Sequence, residues 1–265
     1  MRLRLLLSTV DSHNKIIPVN YQYPISAMIY HTIAEGNHPF AEFLHNSGFS
    51  SENKNYKLFT FSQLRFPPKG FRVEDDRLHI LSNQFSLDVS FMVPAAVEHF
   101  IAGLFKSRHF SLGDVKSQAQ LIVNSVEVLP EPLFENSIKL HCLSPVVIGK
   151  QVENRNTAEY LAPGHVDYNR ILTENLIRKY TAAIQSGFIN PSKEIAGFEP
   201  VVSTEVINTP RRWGITIKAN TPSQTKIIGY TFDFLLTAPP DLIRTGYLCG
   251  FGEKNALGMG CVEVI

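Results

Sequence analysis

The hydrophobic pattern of the first 130 residues changes between the periods of strands and of helices. Leucine alternates with arginine over residues 2–7, which predicts a first β-strand. Two later stretches have the spacing of amphipathic helices, and each begins at a proline, which the first turn of a helix tolerates. Their apolar positions are Ile25, Met28, Ile29 and Ile33 after Pro24, and Val97, Phe100, Ile101, Leu104 and Phe105 after Pro94.

Shorter patterns lie between and after these two helices. We expect a second short helix with Phe40, Phe43 and Leu44 facing inward and Gly48 after its end. A strand over residues 56–66, a hairpin over residues 71–80 and a strand over residues 119–129 complete this half. The resulting order, strand, helix, strand, strand, helix, strand, is that of ferredoxin-like and RNA-recognition folds.

The second half repeats this order of elements more loosely, without repeating the sequence. Prolines at positions 130 and 132 suggest a boundary, so we predict domains at 1–130 and 131–265. The predicted helices cover residues 167–185, which Asp167 would cap and Gly187 would end, and 240–247. The predicted strands cover residues 137–143, 201–206, 213–218, 227–237 and 258–265. The fold class is therefore α+β, with two tandem ferredoxin-like domains.

The composition excludes several classes of function. The chain has 25 basic and 24 acidic residues, so an RNA-binding surface must come from local clusters of basic side chains. The three cysteines, Cys142, Cys249 and Cys261, form no CxxC pair, which argues against a zinc site and a disulfide framework. No cleavage site for a signal peptide and no apolar run of ~18 residues is present, so we expect a cytoplasmic protein that does not contact membranes.

The most specific segment is glycine-rich and covers residues 250–260, GFGEKNALGMG. Two GxG pairs flank five residues that include Lys254 and Asn255. Glycine allows a backbone to approach a phosphate closely, and the amides of such a loop can bind an anion. The segment is neither a P-loop nor a dinucleotide-binding motif. Taken alone, it fits a plain connection before the last strand equally well.

This segment resembles the signature loop of the repeat-associated RNA-binding superfamily of CRISPR systems. Within that superfamily the chain is similar to the Cas six endoribonucleases, which cut CRISPR precursor transcripts. Further matches are Tyr30 in AMIYHTI, His45 in EFLHN, Lys57 in KLFTFS, and LSPVVI at 143–148. The resemblance spans nearly the whole chain. It implies two ferredoxin-like domains, a role in antiviral defence, CRISPR repeat RNA (precursor crRNA) and a CRISPR effector complex as partners, and a monomer or homodimer.

The resemblance also implies cleavage without a metal or cofactor, by attack of a 2′-hydroxyl on the adjacent phosphorus. Such a reaction needs proton transfer and a cation near the phosphorane. Tyr30, His45 and Lys57 match the Tyr-His-Lys set of the family. Each also has an ordinary structural interpretation, as a packing, capping or solvated residue. His31 is the alternative histidine, although it points ~100° away from Tyr30 on a helix.

The resemblance places RNA along the cleft between the domains. The candidate RNA-binding residues are Arg65, Lys69, Arg211, Arg212, Gly250, Gly252, Lys254, Gly258 and Gly260, with Lys106 and Arg108 as weaker candidates. Arg211 and Arg212 precede Trp213 in a predicted hairpin, where basic and aromatic groups can contact phosphates and bases. The same residues could also form a solvated turn. Three other functions stay open: a non-catalytic repeat-binding protein, a structural subunit of an effector complex, and a metabolic ferredoxin-like enzyme.

Overall fold

The computed structural model describes residues 1–11, 14–52, 54–151, 158–190, 202–217 and 222–265. The elements of the first half are β1 (Arg2–Thr9), β2 (Ile16–Pro18), α1 (Gln22–Gly36), α2 (His38–Asn46), β3 (Phe49–Ser51), β4 (Lys54–Tyr56), β5 (Phe59–Phe61), β6 (Phe71–Glu74), β7 (Arg77–Ile80), β8 (Phe85–Phe91), α3 (Pro94–Lys106), β9 (His109–Gly113) and β10 (Gln118–Leu129).

The main sheet of this half is antiparallel throughout, with the strand order β5-β8-β1-β10-β9. Without the edge strand β9, this is the order of a ferredoxin-like sheet, in which the first and third strands are central. The leucines at 3, 5 and 7 are fully buried on β1. α1 and α3 pack against each other, and the apolar stripe predicted for α1 is buried.

The third strand in the predicted order, which the hairpin at residues 71–80 was to supply, was wrong. The hairpin at residues 71–80 exists, as β6 and β7, but it pairs with β2 outside the main sheet. The strand beside β1 is β8, whose alternating Phe85, Leu87, Val89 and Phe91 are all buried. This alternation is present in the sequence and was missed. Two polar residues of β8 are buried as well: Asp88 binds two arginines, and Ser90 accepts a hydrogen bond from Arg2.

Other local predictions also need correction. The strand predicted over residues 56–66 is not continuous: Tyr56 ends β4, Phe59–Phe61 form β5, and Leu58, with a positive φ of 52°, separates them. Phe105, predicted to face inward, is 78% exposed at the end of α3. Phe43 is also exposed and contacts the ring of Phe49 at the edge of the core. Helix α1 begins two residues before Pro24, which still lies in its first turn.

The second half repeats the architecture of the first. Its elements are β11 (Ser137–Cys142), β12 (Gly149–Lys150), β13 (Glu159–Tyr160), α4 (Tyr168–Gln185), β14 (Ser203–Val206), β15 (Arg211–Ile217), β16 (Thr225–Thr231), β17 (Asp233–Thr237), α5 (Pro240–Cys249), a 3₁₀ turn (Asn255–Leu257) and β18 (Val262–Val264). The sheet order β14-β17-β11-β18 is again ferredoxin-like. The α+β fold with tandem ferredoxin-like domains is therefore confirmed.

The predicted strand at 227–237 is in fact two strands. β16 pairs with β15 in a separate hairpin, and β17 lies in the main sheet. Val201, the first residue of one predicted strand, and Lys218, the last residue of another, lie outside the described residues. Asp167 precedes α4, but its side chain binds Lys150 and Arg170 and makes no capping bond to the helix backbone. No described helix combines the length and the apolarity that a membrane crossing requires.

Buried polar contacts join the two sheets. The guanidinium of Arg2 on β1 donates to the carbonyl oxygens of Val262, at 2.6 Å, and of Tyr247, at 2.7 Å. Thr60 on β5 donates to the carbonyl oxygen of Met259 at 2.9 Å. The two halves thus meet along β1, β5 and β8 on one side and the region from α5 to β18 on the other. The division at 1–130 and 131–265 stays a prediction, and the separation of the two sheets supports it.

Candidate active site

The three candidate catalytic residues come from three different segments and meet at one cavity. Tyr30 lies on α1, His45 in the last turn of α2, and Lys57 just before β5. The rings of Tyr30 and His45 are in edge contact, with centroids 5.0 Å apart. The Lys57 Nζ donates to the carbonyl oxygen of His45 at 2.7 Å. All three line a cavity of about 430 Å³.

Local sequence explains how α2 presents its histidine. Asn37 separates the two helices, and its side chain accepts a hydrogen bond from the backbone amide of Phe40 at 3.0 Å. This is an N-cap, which fixes where α2 begins. His45 then falls on the exposed face of the last turn.

The three side chains have different electrostatic surroundings. Tyr30 is half-buried and its ring also contacts Phe59, with centroids 5.5 Å apart. Burial raises the pKa of Tyr30 far above its usual range, so the phenol keeps its proton near neutral pH. Burial lowers the pKa of Lys57 from its ordinary value. The site therefore combines a hydrogen-bond donor, an exposed imidazole and a partly desolvated amine.

His31 lies on another side of α1. It is exposed and lines a second cavity, of about 610 Å³, together with His109. Tyr23 and Ala27 line both this cavity and the one with Tyr30. The divergence of His31 and Tyr30 expected from helical geometry is thus present in the structure.

The glycine-rich loop forms part of the wall of the Tyr30 cavity through Ala256 and Leu257. Its backbone has positive φ at the positions Gly250 (85°), Gly252 (67°), Lys254 (61°), Gly258 (74°) and Gly260 (71°). A Cβ on Gly252 would lie 2.3 Å from the carbonyl oxygen of Val147, and one on Gly258 would lie 2.3 Å from the ring of Phe61. The loop packs against Val147 of the second half and Phe61 of the first, and this close packing requires glycine at positions 252 and 258.

Two side chains to which the sequence assigned no role hold this loop in place. The Asn255 Nδ2 donates to the carbonyl oxygens of Phe251, at 3.1 Å, and Met259, at 2.9 Å. The Lys179 Nζ, from α4, donates to those of Gly250, at 2.7 Å, and Gly252, at 2.6 Å. Lys179 is only 2% exposed. A signal for it exists in the sequence, since Lys179 follows Leu172 and Leu176 at helical spacing on the buried face of α4.

The predicted RNA-binding residues are distributed unequally. Arg65 is occupied by ion pairs with Asp88, at 3.1 Å, and Glu263, at 3.2 Å. Lys69, Arg211 and Arg212 are exposed but line neither the Tyr30 cavity nor the cavity beside it. Lys254 is exposed and lines that neighbouring cavity. Among the described residues, no group of three or more His, Cys, Asp or Glu side chains is placed to hold a metal ion.

Comparison with known proteins identifies the family to which the chain belongs. Residues 129–264 match the family model "CRISPR associated protein Cas6, C-terminal", and residues 16–124 match "CRISPR-associated protein Cas6, N-terminal". A protein of Methanocaldococcus jannaschii named CRISPR-associated endoribonuclease Cas6 1 is 29% identical over 265 residues, which cover 99% of this chain and 92% of that protein. CRISPR-associated endoribonuclease Cas6 of Pyrococcus furiosus is also 29% identical, over 99% of this chain and 88% of its own.

The fold has solved counterparts. The structure of the product of a Cas6-related gene from Pyrococcus furiosus superposes with a TM-score of 0.80 at 21% identity. The match covers 100% of this chain and 98% of the other. The similarity therefore extends over both ferredoxin-like halves and their mutual arrangement.

Proposed function

Since the chain belongs to the Cas6 family of CRISPR-associated proteins, we propose that it is an endoribonuclease that cuts CRISPR repeat RNA in precursor transcripts. The observation that carries this function is the convergence of Tyr30, His45 and Lys57 on one cavity, against the tip of the glycine-rich loop. The relatives that match nearly the whole chain are named CRISPR-associated endoribonucleases. A CRISPR effector complex is a further partner in this proposal.

In the proposed reaction no metal takes part. The 2′-hydroxyl loses its proton to solvent and attacks the adjacent phosphorus, and the bond to the 5′-oxygen breaks. The protonated His45 imidazole donates its proton to that leaving oxygen. The ammonium of Lys57 stabilises the charge on the phosphorane. The Tyr30 phenol, whose pKa burial raises further above neutral pH, donates a hydrogen bond to a phosphate oxygen.

The proposed RNA path runs along the cleft between the halves. The backbone of residues 250–260 and Lys254 lie beside the reacting phosphate, and Arg211 and Arg212 grip a more distant part of the repeat from the exposed β15–β16 hairpin. Lys69 is a further phosphate contact. Arg65 contributes less directly, because its ion pairs hold Asp88 and Glu263 together.

The test uses purified protein and its own repeat RNA. We expect cleavage to continue in excess chelator and to yield a 5′-hydroxyl and a 2′,3′-cyclic phosphate, identified by mass spectrometry. Activity that disappears with chelator and returns with magnesium would contradict the metal-free reaction. RNA that is bound but left intact would instead favour the non-catalytic repeat-binding function.

A second experiment addresses the nucleophile. Replacing the 2′-hydroxyl next to the scissile phosphate with hydrogen removes the attacking group and leaves the remaining contacts in place. We expect such RNA to bind with unchanged affinity and to stay intact in a gel-based cleavage assay. Deoxy substitution two nucleotides away is the matched control and should be cut. Normal cleavage of the modified bond would show that water is the nucleophile.

A further inference from the structure

The proposed reaction gives no role to a buried lysine of the second half. Lys179 on α4 is 2% exposed, and its Nζ donates to the carbonyl oxygens of Gly250, at 2.7 Å, and Gly252, at 2.6 Å. Burying an amine costs free energy even when it has hydrogen-bond partners, and the lowering of its pKa to about 7 reflects this cost. An apolar residue would pack at this position of α4 without that cost. The contacts with the loop therefore explain the lysine better than packing does.

The two accepting carbonyl groups belong to residues with an unusual backbone conformation. Gly250 and Gly252 have positive φ, of 85° and 67°. Glycine enters this region without strain, but it has no side chain that could keep the backbone there. Hydrogen bonds from one amine to both carbonyl groups restrict how these two residues move relative to each other. The tip of the loop follows, with Ala256 and Leu257 in the wall of the Tyr30 cavity.

The helix that carries Lys179 is itself packed against the first half. It contacts β3, and the ring of Phe188, just after α4, is in edge contact with the ring of Phe49 on β3, with centroids 5.0 Å apart. Strand β3 pairs with β4, and Lys57 follows directly after β4. Helix α4 therefore connects the segment before Lys57 with the glycine-rich loop. Through Lys179, the position of the loop is fixed relative to that segment.

We propose that Lys179 is a positioning residue for RNA binding, which holds the carbonyl groups of Gly250 and Gly252 and so places the glycine-rich loop against the RNA that enters the Tyr30 cavity. The proposal rests on the proposed function and adds to it a buried residue that does not contact the RNA. A backbone that already has its binding conformation loses less conformational freedom when the RNA binds, and this raises the affinity. Loss of Lys179 should weaken binding and leave the reacting groups as they are.

Lys179→Met tests the proposal, because methionine keeps most of the apolar stem and removes both hydrogen bonds. The Kd is measured by filter binding, with repeat RNA in which hydrogen replaces the 2′-hydroxyl next to the scissile phosphate. We expect the Kd to rise roughly tenfold. The single-turnover rate of cleavage of unmodified RNA at saturating protein should stay close to that of wild type, since only binding is weakened. An unchanged Kd, or a loss of rate at saturation without a change in Kd, would overturn the proposal.

Leu172→Ala is the matched control for a general loss of stability. Leu172 is 3% exposed on the same buried face of α4, and it lies roughly 10 Å from Lys179 along the helix axis, at about 1.5 Å per residue. Its truncation leaves a cavity and should lower the urea midpoint. At a temperature where both variants are folded, only Lys179→Met should bind the RNA more weakly. Equal weakening in the two variants would show that the effect is one of stability and not of the loop.

Lys179→Gln is a milder variant, which keeps the result interpretable if Lys179→Met does not fold. The glutamine amide nitrogen is one atom short of the Nζ position, so it cannot reach both carbonyl groups in their present places. The Kd should rise by a smaller factor than for methionine. Wild-type affinity in Lys179→Gln would show that the two hydrogen bonds do not set the position of the loop, and the proposal would then be wrong.

This proposal and the proposed function can fail separately. If wild type binds repeat RNA and leaves it intact, cleavage is excluded, but the Kd values of the variants still decide the role of Lys179. If wild type cuts the RNA and Lys179→Met binds it as tightly, only the positioning role is excluded.

Discussion

At the scale of single residues, the two histidines near α1 are the clearest test of the site. His45 shares a cavity with Tyr30 and Lys57, and His31 lines another. Groups that transfer protons in the transition state typically contribute about 10²–10⁴ in rate. We expect His45→Ala to slow single-turnover cleavage by about this factor with little change in RNA affinity. His31→Ala should reduce the cleavage rate far less. Lys57→Ala should reduce it by a factor between those of the two histidine variants.

This comparison is informative only if the variants fold alike. His45 is exposed, so its loss creates no cavity in the core, and circular dichroism should be unchanged. His31 is exposed as well and is therefore a matched control. An inactive His31→Ala next to a nearly normal His45→Ala would move the reaction to the cavity shared by His31 and His109.

Lys179 makes stability depend on pH. Burial lowers its pKa from 10.5 to about 7, and a neutral amine still has the two hydrogens that its bonds to Gly250 and Gly252 need. Between pH 7 and 10.5 the unfolded chain therefore holds more protons at this residue than the folded chain does. Its contribution to the free energy of unfolding should rise across that window and be constant below it.

Urea unfolding of wild type and Lys179→Met at several pH values isolates this effect. The stability of wild type relative to the variant should increase from about pH 7 to about pH 10, since methionine does not titrate. Other groups that titrate in this range are present in both proteins, so their effects cancel in the difference in stability. A difference that is independent of pH would show that Lys179 keeps its proton when folded.

At the scale of elements, the glycine-rich loop tests how backbone geometry and packing combine. Gly252 and Gly187 both have positive φ, of 67° and 76°. A Cβ on Gly252 would collide with the carbonyl oxygen of Val147, whereas nothing lies within 4 Å of one on Gly187. Gly187→Ala should therefore cost only backbone strain, roughly 1–2 kcal/mol. Gly252→Ala should cost more and also weaken RNA binding, as seen by urea unfolding and filter binding.

The outcome separates two roles of the loop. Equal destabilisation by Gly252→Ala and Gly187→Ala would mean that the close approach to Val147 is not a constraint. Unchanged RNA affinity together with a large loss of cleavage rate would place the loop in the catalytic machinery instead. Our expectation, weaker binding with lower stability, follows from a loop that shapes the cavity wall.

The elements also show what the sequence could and could not predict. Periodicity found α1 and α3, because a long apolar stripe on a helix is a strong signal, whereas α4 was predicted from the residues at its ends. Periodicity wrongly predicted that Phe105 is buried. An apolar stripe that continues to the end of a helix does not show where the sheet that packs against the helix ends. Tyr30, His45 and Lys57 came from resemblance to a family. Their shared cavity depends on the packing of α1, α2 and the residues before β5, which no local pattern contains.

At the scale of the whole molecule, the site is built from both halves. Tyr30, His45 and Lys57 come from the first, and Ala256 and Leu257 from the second. The halves are held together by contacts such as those of Arg2, which is 3% exposed and whose guanidinium lies 3.7 Å from the centre of the Tyr247 ring. If Tyr30, His45 and Lys57 carry the reaction as proposed, we expect cleavage to depend on the docking of the halves.

Arg2→Met tests this dependence. Methionine fills part of the space of the arginine stem but removes the guanidinium donors to the carbonyl oxygens of Val262 and Tyr247, at a cost of roughly 2–4 kcal/mol, and the Tyr247 oxygen keeps only the Ser90 hydroxyl at 3.3 Å. We expect a lower urea midpoint by circular dichroism and by fluorescence of Trp213, the single tryptophan, which reports on the second half. The variant should also cut RNA more slowly at temperatures where it is still folded, because the glycine-rich loop is less firmly placed against β5.

Arg4→Met is the matched control. Arg4 is on the same strand, but its partner is Asp88 in the same half, and Asp88 keeps an ion pair with Arg65 when Arg4 is removed. Removing Arg4 should therefore cost less stability and leave cleavage near the wild-type rate. If the two variants lose the same activity, the contacts of Arg2 with Val262 and Tyr247 do not set the position of the loop.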